Sequence, residues 1–305
     1  MMLRHLKGII VVVPTPFDEE KRIDDASVDR MVDHYLALDV QALTIMGVMG
    51  EGAKLSAREA SDLMKRILSR VQGRMPVIVG ASNPDDDVTV AMAEEAVSLG
   101  AAGVMIAPKR GLVGDDAVGS YFEGICRRLD PAIPICVQDY PPASGVTLGV
   151  DGLAQMCRSL PQLEMIKLED MPNLAKLTSL VRQFSERADT RPAIFVGNNA
   201  LFVDLELGRG ADGIMSGFAF PEALQKVYRR HMAGDADQAA DIYRAYLPLI
   251  RYESQPGVGL AARKYVLQRK GLIACPVLRD PGYDLTPEDR AEIDRMLRQL
   301  DRAQV

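Results

Sequence analysis

Eight short apolar runs, spaced about 29 residues apart, constrain the fold of this chain more than any other sequence feature. Each run is continuously apolar and rich in Val and Ile, as expected for parallel strands that are buried on both faces. The spacing leaves room for a crossover helix between successive strands. The runs are Gly8–Val13, Leu43–Gly47, Pro76–Gly80, Gly103–Ala107, Pro134–Gln138, Met165–Leu168, Ala193–Gly197 and Gly213–Gly217.

Amphipathic segments with helix start and stop signals lie between these runs. Ser56 and Glu59 form a capping-box pattern ahead of apolar residues at helical spacing, and the segment Asp85–Gly100 has the same character. No Pro-, Ser- or Gly-rich linker interrupts the eight units. The α/β pattern therefore predicts a single (β/α)8 TIM barrel over residues 1–232, in preference to a doubly wound open sheet.

Three further helical patterns follow the barrel and exceed what eight strand–helix units need. They cover about Ala236–Tyr252, Gly257–Lys270 and Pro287–Gln304, after a last barrel helix at Pro221–Met232. We predict that residues 233–305 form a C-terminal helical subdomain. Its apolar residues must cover a surface, and a neighbouring subunit is one candidate.

Charge and composition argue against several classes of function. The 36 Lys and Arg against 42 Asp and Glu give a formal net charge of −6, whereas a nucleic-acid binder needs a basic face. The first apolar run is too short to span a membrane or to form the core of a signal peptide. The four cysteines include no Cys-x-x-Cys pair and indicate reduced core thiols. We therefore expect a cytoplasmic protein without nucleic-acid or membrane partners.

The histidines give little support to metal or triad chemistry. His5, His34 and His231 lie far from every predicted strand end, where the active residues of such a barrel are found. We expect no metal and no other cofactor.

Lys167 is the outstanding candidate for chemistry, because it is a cation in the sixth apolar run. Burying an ammonium ion is costly, and a neutral amine is a common alternative. A neutral amine attacks ketones and forms a Schiff base, which serves as an electron sink. The competing interpretation is a strand-end lysine that reaches water or pairs with Glu169.

Glu169 lies two residues after Lys167, so the strand places both side chains on one face. It is either a structural partner of the lysine or the general acid and base once the lysine forms an imine. Asp170 alternates to the other face, and we expect a cap or a surface charge there.

The loop Gly47–Gly52 after the second run offers backbone N–H groups that can hold a carboxylate. It fails the phosphate-loop pattern, because Lys54 is one residue late and no Ser or Thr follows it. Taken alone this loop is a weak signal, and a tight strand–helix turn is the favoured interpretation. Asn198 and Asn199 after the seventh run are candidates for a polar pocket or for turn residues.

Five motifs occur in order along the eight runs. They are Thr15-Pro16-Phe17-Asp18, Gly47-x-x-Gly50-Glu51 with Leu55-Ser56-x-x-Glu59, Pro141-x-x-x-Gly145, Ile166-Lys167 and Gly210–Ser216. Together they resemble the dihydrodipicolinate synthase / N-acetylneuraminate lyase family, and the resemblance spans nearly the whole chain. It implies a homo-oligomer, tetramer or dimer, and a class I lyase whose lysine forms a Schiff base with pyruvate or another 2-oxo acid. By this resemblance Lys167 is the imine lysine, and Gly47–Glu51 borders the site for the 2-oxo acid carboxylate. With residues near the ends of other strands added, the candidate substrate-binding residues are Gly47, Val48, Met49, Gly50, Glu51, Gln138, Asn198, Met215 and Ser216.

The chain departs from the usual pattern of that family. Val48 and Met49 replace two threonines, and Gln138-Asp139-Tyr140-Pro141 replaces a tyrosine followed by Asn-x-Pro. Lys109-Arg110 replaces a tyrosine, and Ala143 stands where true dihydrodipicolinate synthases have arginine. The hydroxyl relay of those enzymes is thus missing from the sequence pattern, which argues against dihydrodipicolinate synthesis.

The combination of Gln-Asp with Lys-x-Glu resembles the dehydratase branch, which removes water from 2-oxo-3-deoxy sugar acids such as 2-oxo-3-deoxyarabinonate. Glu169 can take a proton beside the imine and protonate the departing hydroxyl. Tyr140 is the second candidate for this role. The alternative function is a non-catalytic 2-oxo acid sensor or structural paralogue. A phosphate-binding barrel isomerase ranks third, because the loops after strands seven and eight carry few glycines.

Overall fold

The fold is a closed barrel of eight parallel strands in sequence order, each paired with the next and the last with the first. The computed structural model describes residues 2–171, 173–185 and 191–303. The strands are β1 (Gly8–Val12), β2 (Ala42–Ile45), β3 (Val77–Gly80), β4 (Gly103–Ile106), β5 (Ile135–Asp139), β6 (Leu163–Leu168), β7 (Ala193–Val196) and β8 (Gly213–Ser216). They differ from the predicted runs only at their ends, so the predicted barrel is confirmed.

The helices follow the strands as crossover connections and surround the barrel. They are α1 (Asp25–Ala37), α2 (Ala57–Val71), α3 (Asp86–Ser98), α4 (Asp115–Arg128), α5 (Pro141–Ser144), α6 (Val150–Ser159), α7 (Asn173–Gln183), α8 (Val203–Gly208) and α9 (Pro221–Met232). The capping box is present at the start of α2, where Ser56 Oγ accepts from Glu59 N and Glu59 Oε2 accepts from Ser56 N. The helix therefore begins where the sequence pattern predicted, because these local hydrogen bonds satisfy its first backbone N–H groups.

The C-terminal extension consists of α10 (Ala236–Glu253), α11 (Val258–Arg269) and α12 (Pro287–Ala303). The predicted boundary at residues 232 and 233 falls in the turn between α9 and α10. The four cysteines are free, and Cys275 is the one that is not buried. No described helix is long and apolar enough to cross a membrane.

Alternate strand residues point into the barrel and fill it with apolar side chains. Leu3 and Leu6 join this inner cluster from the N-terminal segment. The inner residues of the strands are Ile10, Val12, Ala42, Ile78, Met105, Cys136, Met165, Ala193, Phe195 and Met215. Because side chains alternate along a strand, Gln138 and Lys167 also point inward, one step further toward the C-terminal end. The barrel therefore presents these two polar side chains at the end where active residues are expected.

Candidate active site

Lys167 and Gln138 are neighbours in the barrel wall, because the register of β5 and β6 pairs them directly. Lys167 is 5% exposed, and its Nζ lies 3.1 Å from Oε2 of Glu169. The predicted juxtaposition of amine and carboxylate is therefore present. An ammonium ion so deeply buried needs such a partner, since unpaired burial of its charge is costly.

The Glu169 carboxylate is held by three donors. Gln138 Nε2 donates to Oε2 over 2.9 Å, and the backbone N–H of Asn198 donates to Oε1 over 3.2 Å. The third donor is the Lys167 ammonium. Glu169 is 6% exposed, and its own backbone N–H is bound by the carbonyl of Asp139 over 2.9 Å. These contacts fix the carboxylate beside Nζ, where it can exchange protons with the amine or with a group attached to it.

Tyr140 follows β5 at the same end of the barrel and is half-buried. Burial raises its pKa above the ordinary value, and the negative charge of Glu169 raises it further. Tyr140 therefore keeps its proton near neutral pH and can act as a hydrogen-bond donor. It remains the second candidate for proton transfer.

The outer side of the same strand ends carries a separate charged cluster. Asp139 Oδ2 lies 2.6 Å from Lys176 Nζ on α7, and Asp170 Oδ2 lies 2.8 Å from the same nitrogen. Burial raises the pKa of Asp139 to about 6, and the nearby Lys176 opposes that shift. Asp170 thus takes the other face, as predicted, but it pairs there with Lys176 and is not a free surface charge. Sequence reasoning missed Lys176, although a buried Asp in a strand signals the need for a cation.

A cavity of about 430 Å³ opens beside Gln138 at this end of the barrel. Its walls come from residues at the ends of β3, β4 and β5 and in the loops after β2, β3, β4 and β5. Of the predicted binding residues, Gly47, Val48, Glu51 and Gln138 line it. Ser82 was missed, although it is a polar residue in the loop directly after a predicted strand, where such residues are expected.

Glu51 lines the cavity, but its carboxylate is already occupied. Lys264 Nζ lies 2.6 Å from Oε1, while Lys54 Nζ and the backbone N–H of Arg279 lie 2.9 and 3.0 Å from Oε2. Burial lowers the pKa of Lys264 to about 8, and the Glu51 charge limits that shift. The carboxylate therefore anchors the loop to the C-terminal extension.

The remaining predicted binding residues lie outside the cavity lining that the described residues form. Met49 packs against the inner cluster, and the Gly50 carbonyl accepts from Thr15 Oγ1 over 2.6 Å. Met215 is fully buried in the barrel interior. Ser216 Oγ accepts from Phe218 N over 3.1 Å. Their positions are explained by packing and loop hydrogen bonds.

The described residues include no group of three or more His, Cys, Asp or Glu side chains able to hold a metal ion.

The model of the dihydrodipicolinate synthetase family matches residues 5–300. The chain belongs to this family. Its curated relatives include the L-2-keto-3-deoxyarabonate dehydratase of Azospirillum brasilense, 35% identical over 300 residues, with 98% of this chain and 95% of the relative aligned. The 4-hydroxy-tetrahydrodipicolinate synthase of Sorangium cellulosum is 27% identical over 299 residues, with 96% of each chain aligned.

Solved structures agree with this membership. A crystal structure of the dihydrodipicolinate synthase from Rhodopseudomonas palustris superposes with a TM-score of 0.95 at 38% identity, covering 98% of this chain and 99% of that one. The predictions of the family, of the barrel and of a lyase are confirmed.

Several residues at which this chain departs from the pattern of the dihydrodipicolinate synthetase family line the cavity. Val48, Lys109, Arg110 and Ala143, which depart from the family pattern, all line its wall. Lys109 pairs with Asp86, with their atoms 3.0 Å apart. The chain thus keeps a buried lysine in the barrel and has a changed wall around the space next to it.

Proposed function

We propose that this protein is a dehydratase of 2-oxo-3-deoxy sugar acids that works through a Schiff base on Lys167. The observation that carries the proposal is the Glu169 carboxylate, 3.1 Å from the Lys167 amine and fixed by Gln138 and Asn198. The name of the Azospirillum brasilense relative supports the same reaction class.

The proposed sequence begins when the substrate carbonyl meets Lys167. Glu169 accepts a proton from the ammonium, and the neutral amine attacks C2 of the 2-oxo acid. Glu169 returns that proton to the carbonyl oxygen, which takes a second proton from the attached nitrogen and leaves as water. The resulting protonated imine draws electrons from the bond between C3 and its hydrogen, and Glu169 is again a carboxylate. The barrel supplies this step with a nucleophile and a base that are already in contact.

Elimination then removes a second water molecule. Glu169 takes a proton from C3, and the hydroxyl on C4 leaves after the carboxyl returns that proton to it. A C3–C4 double bond forms in conjugation with the imine. Hydrolysis of the imine consumes one water, releases the unsaturated 2-oxo acid and restores Lys167. One carboxyl group therefore serves as base and then as acid.

The cavity beside Gln138 provides the space for the rest of the sugar acid. The backbone N–H groups of the loop at Gly47 are the proposed site for the substrate carboxylate. Lys109 and Arg110 on the cavity wall would face the distal carbons. These assignments follow from the position of the cavity at the end of β5.

The test combines trapping with turnover. Pyruvate and borohydride should add a stable mass to the peptide that contains Lys167, and Lys167→Ala should abolish both the adduct and activity. A panel of 2-oxo-3-deoxy sugar acids, followed by NMR for loss of the C4 hydroxyl, should identify a dehydrated substrate. Absence of an adduct with every 2-oxo acid would overturn the proposal.

The sensor alternative gives a different pattern in the same assays. An adduct on Lys167 without turnover of any sugar acid, and without condensation of pyruvate with an aldehyde, would favour a 2-oxo acid-binding sensor. A homotetramer or dimer and a cytoplasmic location stay predictions. Light scattering of the purified protein decides the first of these.

A further inference from the structure

Gly197, directly after β7, leaves the space that the Glu169 side chain occupies. A Cβ built on Gly197 would lie 2.5 Å from Glu169 Cδ and nearer still to Oε1 and Cγ. The absence of a side chain at Gly197 therefore leaves the room that the Glu169 carboxylate needs.

The next three residues adopt a conformation that is uncommon outside glycine. Asn198, Asn199 and Ala200 have φ of 48°, 54° and 64°, all in the left-handed region. Consecutive left-handed residues store strain and persist only where their surroundings hold them. In this loop the strained backbone turns the N–H of Asn198 toward Glu169 Oε1, 3.2 Å away.

The C-terminal extension holds the loop in place. Arg263 of α11 is fully buried, donates to Asn199 Oδ1, and pairs through Nε with Glu253 Oε2 over 3.0 Å. Asn199 Nδ2 donates to the carbonyl of Ile250 over 3.3 Å. Tyr243 of α10 donates to the carbonyl of Leu201 over 2.5 Å. Helices outside the barrel thus brace the segment that touches the carboxylate.

We propose that the loop Gly197–Ala200 positions Glu169 for proton transfer, with Gly197 giving the carboxylate room and Asn199 locking the loop to Arg263. The inference rests on the proposed function, in which Glu169 moves the protons. Gly197 and Asn199 are positioning residues, since they act through Glu169. A carboxylate displaced by about 1 Å from the reacting atoms loses on the order of 10² in rate.

Gly197→Ala is the direct test. The added methyl group should push the carboxylate aside, lowering kcat for the sugar acid about 10²-fold while KM stays near the wild-type value. Trapping of pyruvate on Lys167 by borohydride should persist, because the amine is untouched. Gly119→Ala is the matched control, since nothing lies within 4 Å of a Cβ at that position in α4. Its kcat should equal that of the wild type.

A double-mutant cycle separates positioning from general damage. In a Glu169→Gln background the transferring carboxylate is already absent, so adding Gly197→Ala should lower kcat no further. Additive losses, a parallel loss of trapping and turnover, or an unchanged kcat in folded Gly197→Ala would each overturn the inference. Wild-type protein without turnover of any sugar acid would instead overturn the proposed function itself.

Asn199→Ala keeps the test decisive if Gly197→Ala does not fold. This variant removes the side chain that binds Arg263 and adds no atoms near Glu169. We expect a smaller loss of kcat, with trapping retained and the loss again absent in the Glu169→Gln background. An undiminished kcat in folded Asn199→Ala would contradict the proposed role of the contact between Asn199 and Arg263.

Discussion

The position of the Glu169 carboxylate has both a local and a long-range cause. Its distance of two residues from Lys167 puts both side chains on the inner face of the barrel wall, a property of any strand. The direction of its carboxylate is set by Gln138 from β5 and by Asn198 from the loop after β7. The site therefore depends on three neighbouring strands, of which only one holds the reacting lysine.

Glu169→Gln should separate the two stages of the reaction. The amide keeps the shape and an acceptor oxygen but cannot carry the proton, so turnover should fall roughly 10²–10⁴-fold. Trapping of pyruvate on Lys167 should persist, because the amine that forms the imine is unchanged. Rates of turnover and of borohydride trapping, measured on the same preparation, check this.

Two other outcomes have distinct meanings. An equal loss of trapping and turnover would show that Glu169 only holds Lys167 in place. Undiminished turnover would move the proton transfer to Tyr140, and Tyr140→Phe would then be the variant that loses activity. Under our proposal Tyr140→Phe keeps the basic proton-transfer group and loses less than Glu169→Gln.

At the scale of elements, α7 and α8 are joined by a buried pair of polar side chains. Asn173 Nδ2 donates to Glu206 Oε1, and both residues are almost fully buried. Asn173 Oδ1 and Glu206 Oε2 have no hydrogen-bond partner among the described residues. A carboxyl group so deeply buried, with one of its two oxygens unpaired, is expected to be neutral, because burial of its charge is costly.

The neutral Glu206 predicts a pH-dependent stability. Burial raises its pKa from 4.5 to about 7, with the Asn173 hydrogen bond opposing the shift and the charges of Asp204 and Glu169 adding to it. The folded chain then binds this proton more tightly than the unfolded chain. The free energy of unfolding should therefore fall as pH rises from about 4.5 to 7, by on the order of 3 kcal/mol from this group, and level off above.

Glu206→Gln gives the matching control, because the amide resembles the protonated acid. Urea unfolding at pH 5 and pH 8 should show a smaller pH-dependent loss of stability in this variant than in the wild type. Asp139 and Glu253 also have raised pKa values, to about 6 and about 7, so the difference between the two proteins is the quantity to measure. Equal losses in both would show that Glu206 is ionised in the folded protein.

For the whole molecule, the C-terminal extension is part of the structure of the active-site end. Lys264 of α11 binds Glu51 on the cavity wall, and its ammonium lies 4.3 Å from the centre of the Phe17 ring. The guanidinium of Arg279 lies 4.6 Å from the same ring. Phe17, in the loop after β1, is therefore held between two cations of the extension.

Lys264→Met tests how strongly the extension holds that wall. The variant keeps an apolar stem of similar length but leaves Glu51 without its most buried partner, so we expect a loss of about 3–5 kcal/mol in the free energy of unfolding. Adding Glu51→Gln should recover part of this loss, because the buried charge is then removed. Denaturant unfolding of the two single variants and the double variant checks the coupling. Purely additive losses would show that the pair is not coupled.

Local patterns in the sequence determined most of the fold and the central pair of the site. The eight strands, the capping box of α2 and the helices of the extension follow from periodicity and cap residues, which act over a few positions. The proximity of Lys167 and Glu169 follows from strand alternation alone. The family motifs then indicated a lyase, and several of the positions at which the chain departs from them line the cavity.

The tertiary structure alone decided which distant side chains meet. Lys264 reaches Glu51 from 213 residues away, and Arg263 reaches Asn199 from 64 residues away. Periodicity carries no information on such pairs, because they depend on barrel closure and on the path of the helices after it. The same holds for Gly197, which reads as a strand end in sequence. Only the closed barrel shows that it leaves the space for the Glu169 carboxylate.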